Sequence, residues 1–289
     1  MRYSIKILMS LLLMNHSLFA FQDMEDIQIE IVPVNQNVYM LKGAGGNIGV
    51  LTGEDGIFMI DDQFAALSEK IKAKLITLSN QPLKYLVNTH HHGDHTGGNA
   101  NFQEDGTLIL AHENVRKRLI ADSTKMKGLP ILTFNDQINL HINGNDIVVA
   151  HVHNAHTDGD ALIYFPQSNV LHTGDTFFNG MFPYIDLKSG GSVDGDIIAA
   201  KTGLSLINEN TKIIPGHGNI ATRSDYAAYL NMLETIRNNV IAAIKKGKSE
   251  TEIVENESIT NTFFTDEEAS NFFINGKKIR KTFYDSLKK

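Results

Sequence analysis

The stretch Asn88-Thr89-His90-His91-His92-Gly93-Asp94-His95 constrains this chain more than any other, because it sets four candidate ligands, His90, His92, Asp94 and His95, within six residues just after the apolar run Tyr85-Leu86-Val87. Borderline cations such as zinc prefer imidazole nitrogen and carboxylate oxygen, and a catalytic ion takes about three protein ligands while keeping one position open. His90 and His92 are two residues apart, so an extended backbone points both rings one way and His91 the other. Gly93 and Gly97-Gly98 permit a tight turn into a helix near Asn99, which lets Asp94 and His95 face a second ion beside the first. A β-like run followed by a loop recurs at His156, at Asp175 (Leu171-His172-Thr173-Gly174-Asp175) and at His217 (Ile213-Ile214-Pro215-Gly216-His217). Loops at strand ends are where sites are built. A carboxylate at 175 has two oxygens and can bridge two cations roughly 3.5–4 Å apart. His112, His141, His151, His153 and His172 lack such context and are expected to be structural or exposed.

The surrounding pattern is mixed α and β. Short β-rich runs at Ile27–Val34, Val38–Lys42, Asn47–Thr52 and Ile57–Asp61, separated by Asn- and Gly-rich turns, predict an antiparallel meander. Leu67, Ile71, Leu75 and Leu78 then recur at helical spacing over 64–78. Further strands are expected at 85–88, 107–111, 146–151, 161–165, 170–173 and 212–215, with helices near 113–121, 195–207 and 224–246. The tail over 250–289 reads as one or two amphipathic helices, with Asp266-Glu267-Glu268 suiting a first turn. Two sheets packed face to face with helices outside would accommodate this α/β (α+β) order.

Residues 1–20 differ in character: Arg2 and Lys6 precede the apolar run Ile7 to Met14, and a short stretch ends in Ala20. This composition predicts a signal peptide cleaved near Ala20, since the run is shorter than the roughly 20 residues that span a bilayer. Residues 21–289 would then form the mature domain, exported to the periplasm or secreted, with no stable membrane insertion after cleavage. The chain holds no cysteine. An exported protein of this kind relies on its core and bound metal rather than on disulfides, and thiolate chemistry is excluded. Acidic residues outnumber basic ones, 33 to 26, and loss of Arg2 and Lys6 widens the gap. A general nucleic-acid binder would be basic, so a small-molecule substrate is expected instead.

The ordered set His90-x-His92-x-Asp94-His95, His156, Asp175 and His217 resembles the metallo-β-lactamase superfamily, over about residues 30 to 245. The resemblance implies a four-layer αββα sandwich of two mixed β-sheets with outer helices and a metal site at one edge. It implies two zinc ions per chain, the first held by His90, His92 and His156, the second by Asp94, His95 and His217, with Asp175 between them. Manganese or iron can occupy related sites. Asp61 matches an early aspartate of the family that supports the ligands from behind, and Asp94 is also the candidate catalytic group. The implied activity is metal-dependent hydrolysis of a cyclic amide or ester of the β-lactam or lactone kind. Thioesterase, phosphodiesterase and non-catalytic zinc-binding alternatives stay open, as does the oligomeric state. Two departures argue against the β-lactamase branches with a bridging cysteine: Asp175 itself, and Phe178 where a substrate-binding lysine would stand. The apolar segment 177–185 is expected to line the substrate pocket, with Phe178, Phe182 and Tyr184 as its candidates.

Overall fold

Alternation along four short strands organises one half of the molecule. In a computed structural model, which describes residues 24–122 and 126–288, β1 (Glu30–Asn35), β2 (Val38–Lys42), β3 (Ile48–Leu51) and β4 (Ile57–Ile60) form the expected antiparallel meander. Residues 1–20, expected from sequence to be a signal peptide, lie outside the described residues. The chain crosses through α1 (Ser68–Leu78) to β5 (Leu83–Asn88), which pairs parallel to β4. It continues through α2 (Gly93–Thr96) and α3 (Asn99–Glu104) to β6 (Leu108–His112), and through α4 (Glu113–Ala121) to β7 (Leu132–Phe134), both parallel additions. The result is a seven-stranded mixed sheet in the order β1 to β7.

The second sheet runs β12-β11-β10-β9-β8, with β8 (Gln137–Ile142), β9 (Asn145–His151), β10 (Ala161–Phe165) and β11 (Val170–His172) antiparallel to their neighbours. Helix α5 (Val193–Leu206) carries the chain to β12 (Lys212–Ile214), parallel to β11. Then come α6 (Arg223–Lys245), α7 (Glu250–Val254) and α8 (Gly276–Leu287). No helix among the described residues is long and apolar enough to cross a membrane.

Period-two alternation explains the four layers. In β4, Phe58 and Ile60 join Val87 and Leu110 of the same sheet against Ile163, Phe165 and Val170 of the other. Ile57 and Met59 point the opposite way, onto Leu67 just before α1 and Ile71 and Leu75 on its inner face. Both faces of β4 are therefore covered, which is why Ile-Phe-Met-Ile reads as a continuous apolar run. Phe58 meets Phe165 edge-on at 6.0 Å between centroids, a contact worth about 0.5–1.5 kcal/mol beyond its buried area. The outer face of the second sheet, through Leu162 and Leu171, packs on α5, α6 and α8. Two sheets and two helical layers make the αββα sandwich.

Three details differ from the sequence expectation. β7 and β8 were not foreseen, although Gln-Ile-Asn-Leu-His-Ile alternates in burial along β8 and leads into Asn143-Gly144, both at positive φ, a strong hairpin signal. Asp266-Glu267-Glu268 does not open a helix; the segment is a series of turns and the last helix starts at Gly276. The reason is tertiary. Arg280, fully buried on α8, donates to Val254 O (2.7 Å), Thr260 Oγ1 (2.7 Å) and both carboxylate oxygens of Asp266 (2.9 and 2.8 Å). Asp266 thus serves the buried guanidinium, not a helix dipole.

Removing one partner of a buried ion pair costs about 3–5 kcal/mol, and here the lower end applies because Asp266 is partly exposed. Asp266→Ala should therefore lose about 3 kcal/mol of stability, readable as a lowered midpoint in thermal or denaturant unfolding. Arg280 holds the Asp266 carboxyl below its ordinary value of 3.8, so this contribution is present at neutral pH and is lost as pH falls through that depressed value.

Candidate metal centre

The parallel pairs β4–β5 and β11–β12, and the parallel sense of β9 and β11 across β10, bring five strand ends to one edge of the sandwich. Asp61 follows β4, His90 follows β5, His156 lies beyond β9, Asp175 follows β11 and His217 follows β12. Asn47 N donates to Gly216 O (2.7 Å) and Ala161 N to Thr89 O (3.0 Å), tying the two sheets together there.

The candidate ligands separate into two groups. His90, His92, His156 and Asp175 form one; Asp94, His95 and His217 form the other, with the ligand atoms of each group within 4.8 Å of one another. His92 Nδ1 lies 3.0 Å from His90 Nε2 and 2.9 Å from His156 Nε2. Tetrahedral coordination at roughly 2.0–2.1 Å would put such nitrogens about 3.3 Å apart, so the spacing suits one small cation. Asp175 stands between the groups: Oδ2 is 3.8 Å from His90 Nε2, 3.6 Å from His156 Nε2 and 3.4 Å from His217 Nε2, while Oδ1 is 3.1 Å from His95 Nε2. Asp94 Oδ2 approaches His217 Nε2 (3.4 Å) and His95 Nε2 (3.6 Å).

The far nitrogen of each ring decides what the near one can do. His95 Nδ1 donates to Asp61 Oδ2 (2.8 Å), His156 Nδ1 to Tyr184 O (2.6 Å) and His92 Nε2 to Asp186 Oδ2 (3.1 Å). Thr89 Oγ1 donates to Asp61 Oδ2 (2.7 Å), which leaves it to accept from His90 Nδ1 (3.1 Å). With these protons so assigned, His90, His92, His156 and His95 each turn the other ring nitrogen inward, where its lone pair can take a cation; at His95 the carboxylates favour positive charge there, proton or metal. Converging lone pairs repel unless a cation sits among them. Buried His95 Nε2 and Asp175 Oδ1 face each other at 3.1 Å, and neither has another hydrogen-bond partner. The residues therefore fit divalent metal, with the outward nitrogens held as metal-bound imidazoles usually are.

Electrostatics divide the site the same way. Burial pushes His90 well below its ordinary value and His156 down to about 4, so neither ring readily takes a proton in place of a metal. Burial also opposes charge on His95 and His217, but the carboxylates of Asp175 and Asp94 prevail, raising His95 strongly and His217 to about 9. Burial likewise disfavours the Asp175 carboxylate, yet His95 and His217 hold it ionised. Positive charge is thus favoured where the carboxylates lie.

The backbone makes room for these ligands with glycine. A Cβ on Gly46 would overlap the His95 ring, and one on Gly216 would overlap Asp175 Oδ1 and the backbone of Gly174. Any larger residue at either place would displace a ligand.

The profile of the metallo-beta-lactamase superfamily matches residues 32–240. The chain belongs to the metallo-β-lactamase superfamily. Among curated relatives, a hydroxyacylglutathione hydrolase of Prochlorococcus marinus (strain NATL1A) is 31% identical over 155 residues, covering 50% of this chain and 55% of its own length. Another, from strain MIT 9312, is 26% identical over 255 residues, or 85% and 93% of the two chains. The 2,4-dinitroanisole O-demethylase subunit alpha of Nocardioides sp. (strain JS1661) is 26% identical over 51% of this chain and 46% of its own. The chain thus spans about half the length of the first and third of these. Among solved structures, a metallo-beta-lactamase from Pontibacter korlensis superposes with a TM-score of 0.64 at 20% identity, covering 72% of this chain and 99% of its own. That likeness is one of fold. The expected class, a metal-dependent hydrolase of this superfamily, agrees with these relatives, and the bond cleaved is a separate question.

All seven candidate ligands come together at this edge, and Asp61 lies directly behind His95. The pocket candidates scatter. Phe178 stacks on His217 (5.0 Å between centroids, 12° between planes) and lines an apolar cavity of about 310 Å³ with Met181, Met232, Phe263 and Phe264. Tyr184 lies over His92 and beside His156. Phe182 is fully buried against Phe264 and Phe272, so it belongs to the core and does not line the cavity. His172 is buried and structural as expected: it bonds Asn47 O and Gly174 N, anchoring the turn that carries Asp175.

Asp186 was missed. Asp-Leu-Lys-Ser-Gly reads as an ordinary capped turn, and Asp186 Oδ1 does accept from Lys188 N and Ser189 N. Only folding reveals that Oδ2 also holds His92, 94 residues away. Asp186→Ala should lower affinity for the ion at His90, His92 and His156 by about 10–100-fold, measurable by chelator competition.

Proposed function

We propose that this chain is an exported hydrolase that uses two zinc ions to cleave an acyl bond in a small molecule. One observation carries the reading: four imidazoles whose outward nitrogens are pinned, so that their bare nitrogens converge around a carboxylate, Asp175, which reaches both ligand groups. Bound there, a pair of divalent cations supplies Lewis acidity toward a carbonyl oxygen and a water acidic enough to act as a nucleophile near neutral pH.

The protein's own part is placement. Asp94 is partly open to solvent, and although burial disfavours its carboxylate, His95 and His217 keep it below its ordinary value. It stays ionised and can orient the attacking water or take its proton. Phe178 and Tyr184, flanking the two ligand groups, exclude water from either side of the reacting carbonyl. Residues 1–20, with their charged start and short apolar run, support export.

The first reading is a cyclic amide or ester, and Asp175 in place of a bridging cysteine favours the ester of the two. A thioester is the second reading, supported by the hydroxyacylglutathione hydrolases among the relatives. The test is turnover by the purified chain, zinc-loaded and chelator-stripped, across β-lactams, lactones, thioesters and phosphodiesters, with His92→Ala as control. Metal-dependent cleavage of one acyl class, abolished in the control, supports the proposal. Stoichiometric zinc without turnover of any class would replace it with a binding role.

A further inference from the structure

One exposed aromatic side chain borders the ring that lies over the candidate ligand His92. Phe273 is 73% exposed and is the sole aromatic among the large exposed hydrophobics of the described residues. Its position is nonetheless built. Phe272 packs on Phe264 (5.2 Å between centroids) and Ile274 is buried in the core under α8, so the residues on either side are fixed and Phe273 is turned outward. Lys278 in the first turn of α8 donates to Phe273 O (2.9 Å), and its ammonium lies 5.5 Å from the ring centre. The segment is anchored further by buried Arg280 through Asp266.

The outward ring meets the site. Phe273 lies edge-on to Tyr184 at 5.7 Å, and Tyr184 in turn lies over His92, at 5.7 Å and 29°, and 5.5 Å from His156. Two of the three histidines proposed to hold the first ion therefore share one aromatic neighbour, which is continuous with an exposed ring supplied by the C-terminal segment. A rigid apolar face that is open to solvent and borders convergent polar groups is the composition of a ligand site.

We infer that Phe273 and Tyr184 form an aromatic ledge at the mouth of the metal centre that receives an aromatic substituent on the acyl side of the substrate. The inference rests on the acyl-hydrolase reading and narrows it: an arylacyl substrate is selected over a short aliphatic one. Ring-on-ring contact with edge and face both available favours an arene over a methyl group, and the expected preference is about tenfold. Phe273 acts on specificity and touches no reacting atom.

Binding and turnover test this separately. Calorimetric titration of the zinc-loaded protein with phenylacetate and with acetate should show phenylacetate binding about tenfold more tightly; Phe273→Ala should reduce the ratio to within about twofold of one, and Phe273→Tyr should keep it. The kcat/KM ratio for phenylacetyl and acetyl thioesters of N-acetylcysteamine should follow the same order. Equal binding of the two acids, or a ratio unchanged in Phe273→Ala, overturns the ledge whether or not the thioesters are cleaved. Selective phenylacetate binding lost in Phe273→Ala, without hydrolysis of any acyl substrate, upholds the ledge and removes the hydrolytic reading. Unfolding midpoints of the variants matching the parent would exclude a folding defect, as expected for so exposed a ring.

Discussion

Asp175→Ala protein should lose hydrolytic activity by about a thousandfold or more and bind less than its full complement of metal. Among the described residues the Asp175 carboxylate oxygens approach candidate ligands of both groups, at 3.4–3.8 Å from His90, His156 and His217 and 3.1 Å from His95. Alanine removes the negative charge that would hold two cations close together in the proposed site. Metal contributions to transition-state stabilisation run to several kcal/mol, and about 1.4 kcal/mol is a factor of ten in rate. Elemental analysis beside kcat/KM is the measurement. Full metal content with undiminished turnover would show that the ions do not depend on Asp175. Asp175→Asn makes the comparison sharper, because it keeps the shape and one acceptor oxygen while deleting the charge.

Asp61→Asn should act without touching a metal. Asp61 Oδ1 accepts from Thr89 N (2.7 Å), and Oδ2 accepts from Thr89 Oγ1 (2.7 Å) and His95 Nδ1 (2.8 Å), with the side chain fully buried. The backbone sits at φ 60°, a region asparagine tolerates, so the substitution is conformationally mild. An asparagine that keeps its oxygen on Thr89 N turns its amide NH2 toward His95 Nδ1. Two donors then face each other. His95 must carry its proton on Nε2 instead, which converts the inward nitrogen from a ligand into an N–H. We expect the Asp94, His95 and His217 group to lose about 10–100-fold in metal affinity, and the other group, which Asp61 reaches only through Thr89, to lose less. Stepwise zinc titration would show one tight and one weakened site; two sites of parental affinity would refute the tautomer argument.

Asp61 also shows where sequence reasoning stops. Its type and its place after an apolar strand were legible, yet a turn or capping role was equally consistent with the local residues. Thr89, which links Asp61 to His90, sits in the most informative stretch of the chain and still carries no sign of that role. Asp186 is the stronger case. Its local sequence specifies a capped turn correctly and says nothing of His92.

The candidate ligand set was legible in the sequence, because metal chemistry restricts residue types and the backbone period restricts spacing. His90 and His92 share a side by alternation, Gly93 releases the turn to Asp94 and His95, and each remaining ligand follows an apolar run. The meander, the helical face of α1 and most strand positions follow from the same local periodicities. Tertiary structure alone decided which carboxylate stands behind which imidazole, that Phe182 is core while Phe178 borders a cavity, and that Asp266 neutralises Arg280 instead of starting a helix. It also decided that Phe273 meets Tyr184 at the metal centre. Those outcomes depend on contacts between residues 14 or more positions apart, and a side chain's partner across that distance is set by how sheets and helices pack, not by the neighbours in its own segment.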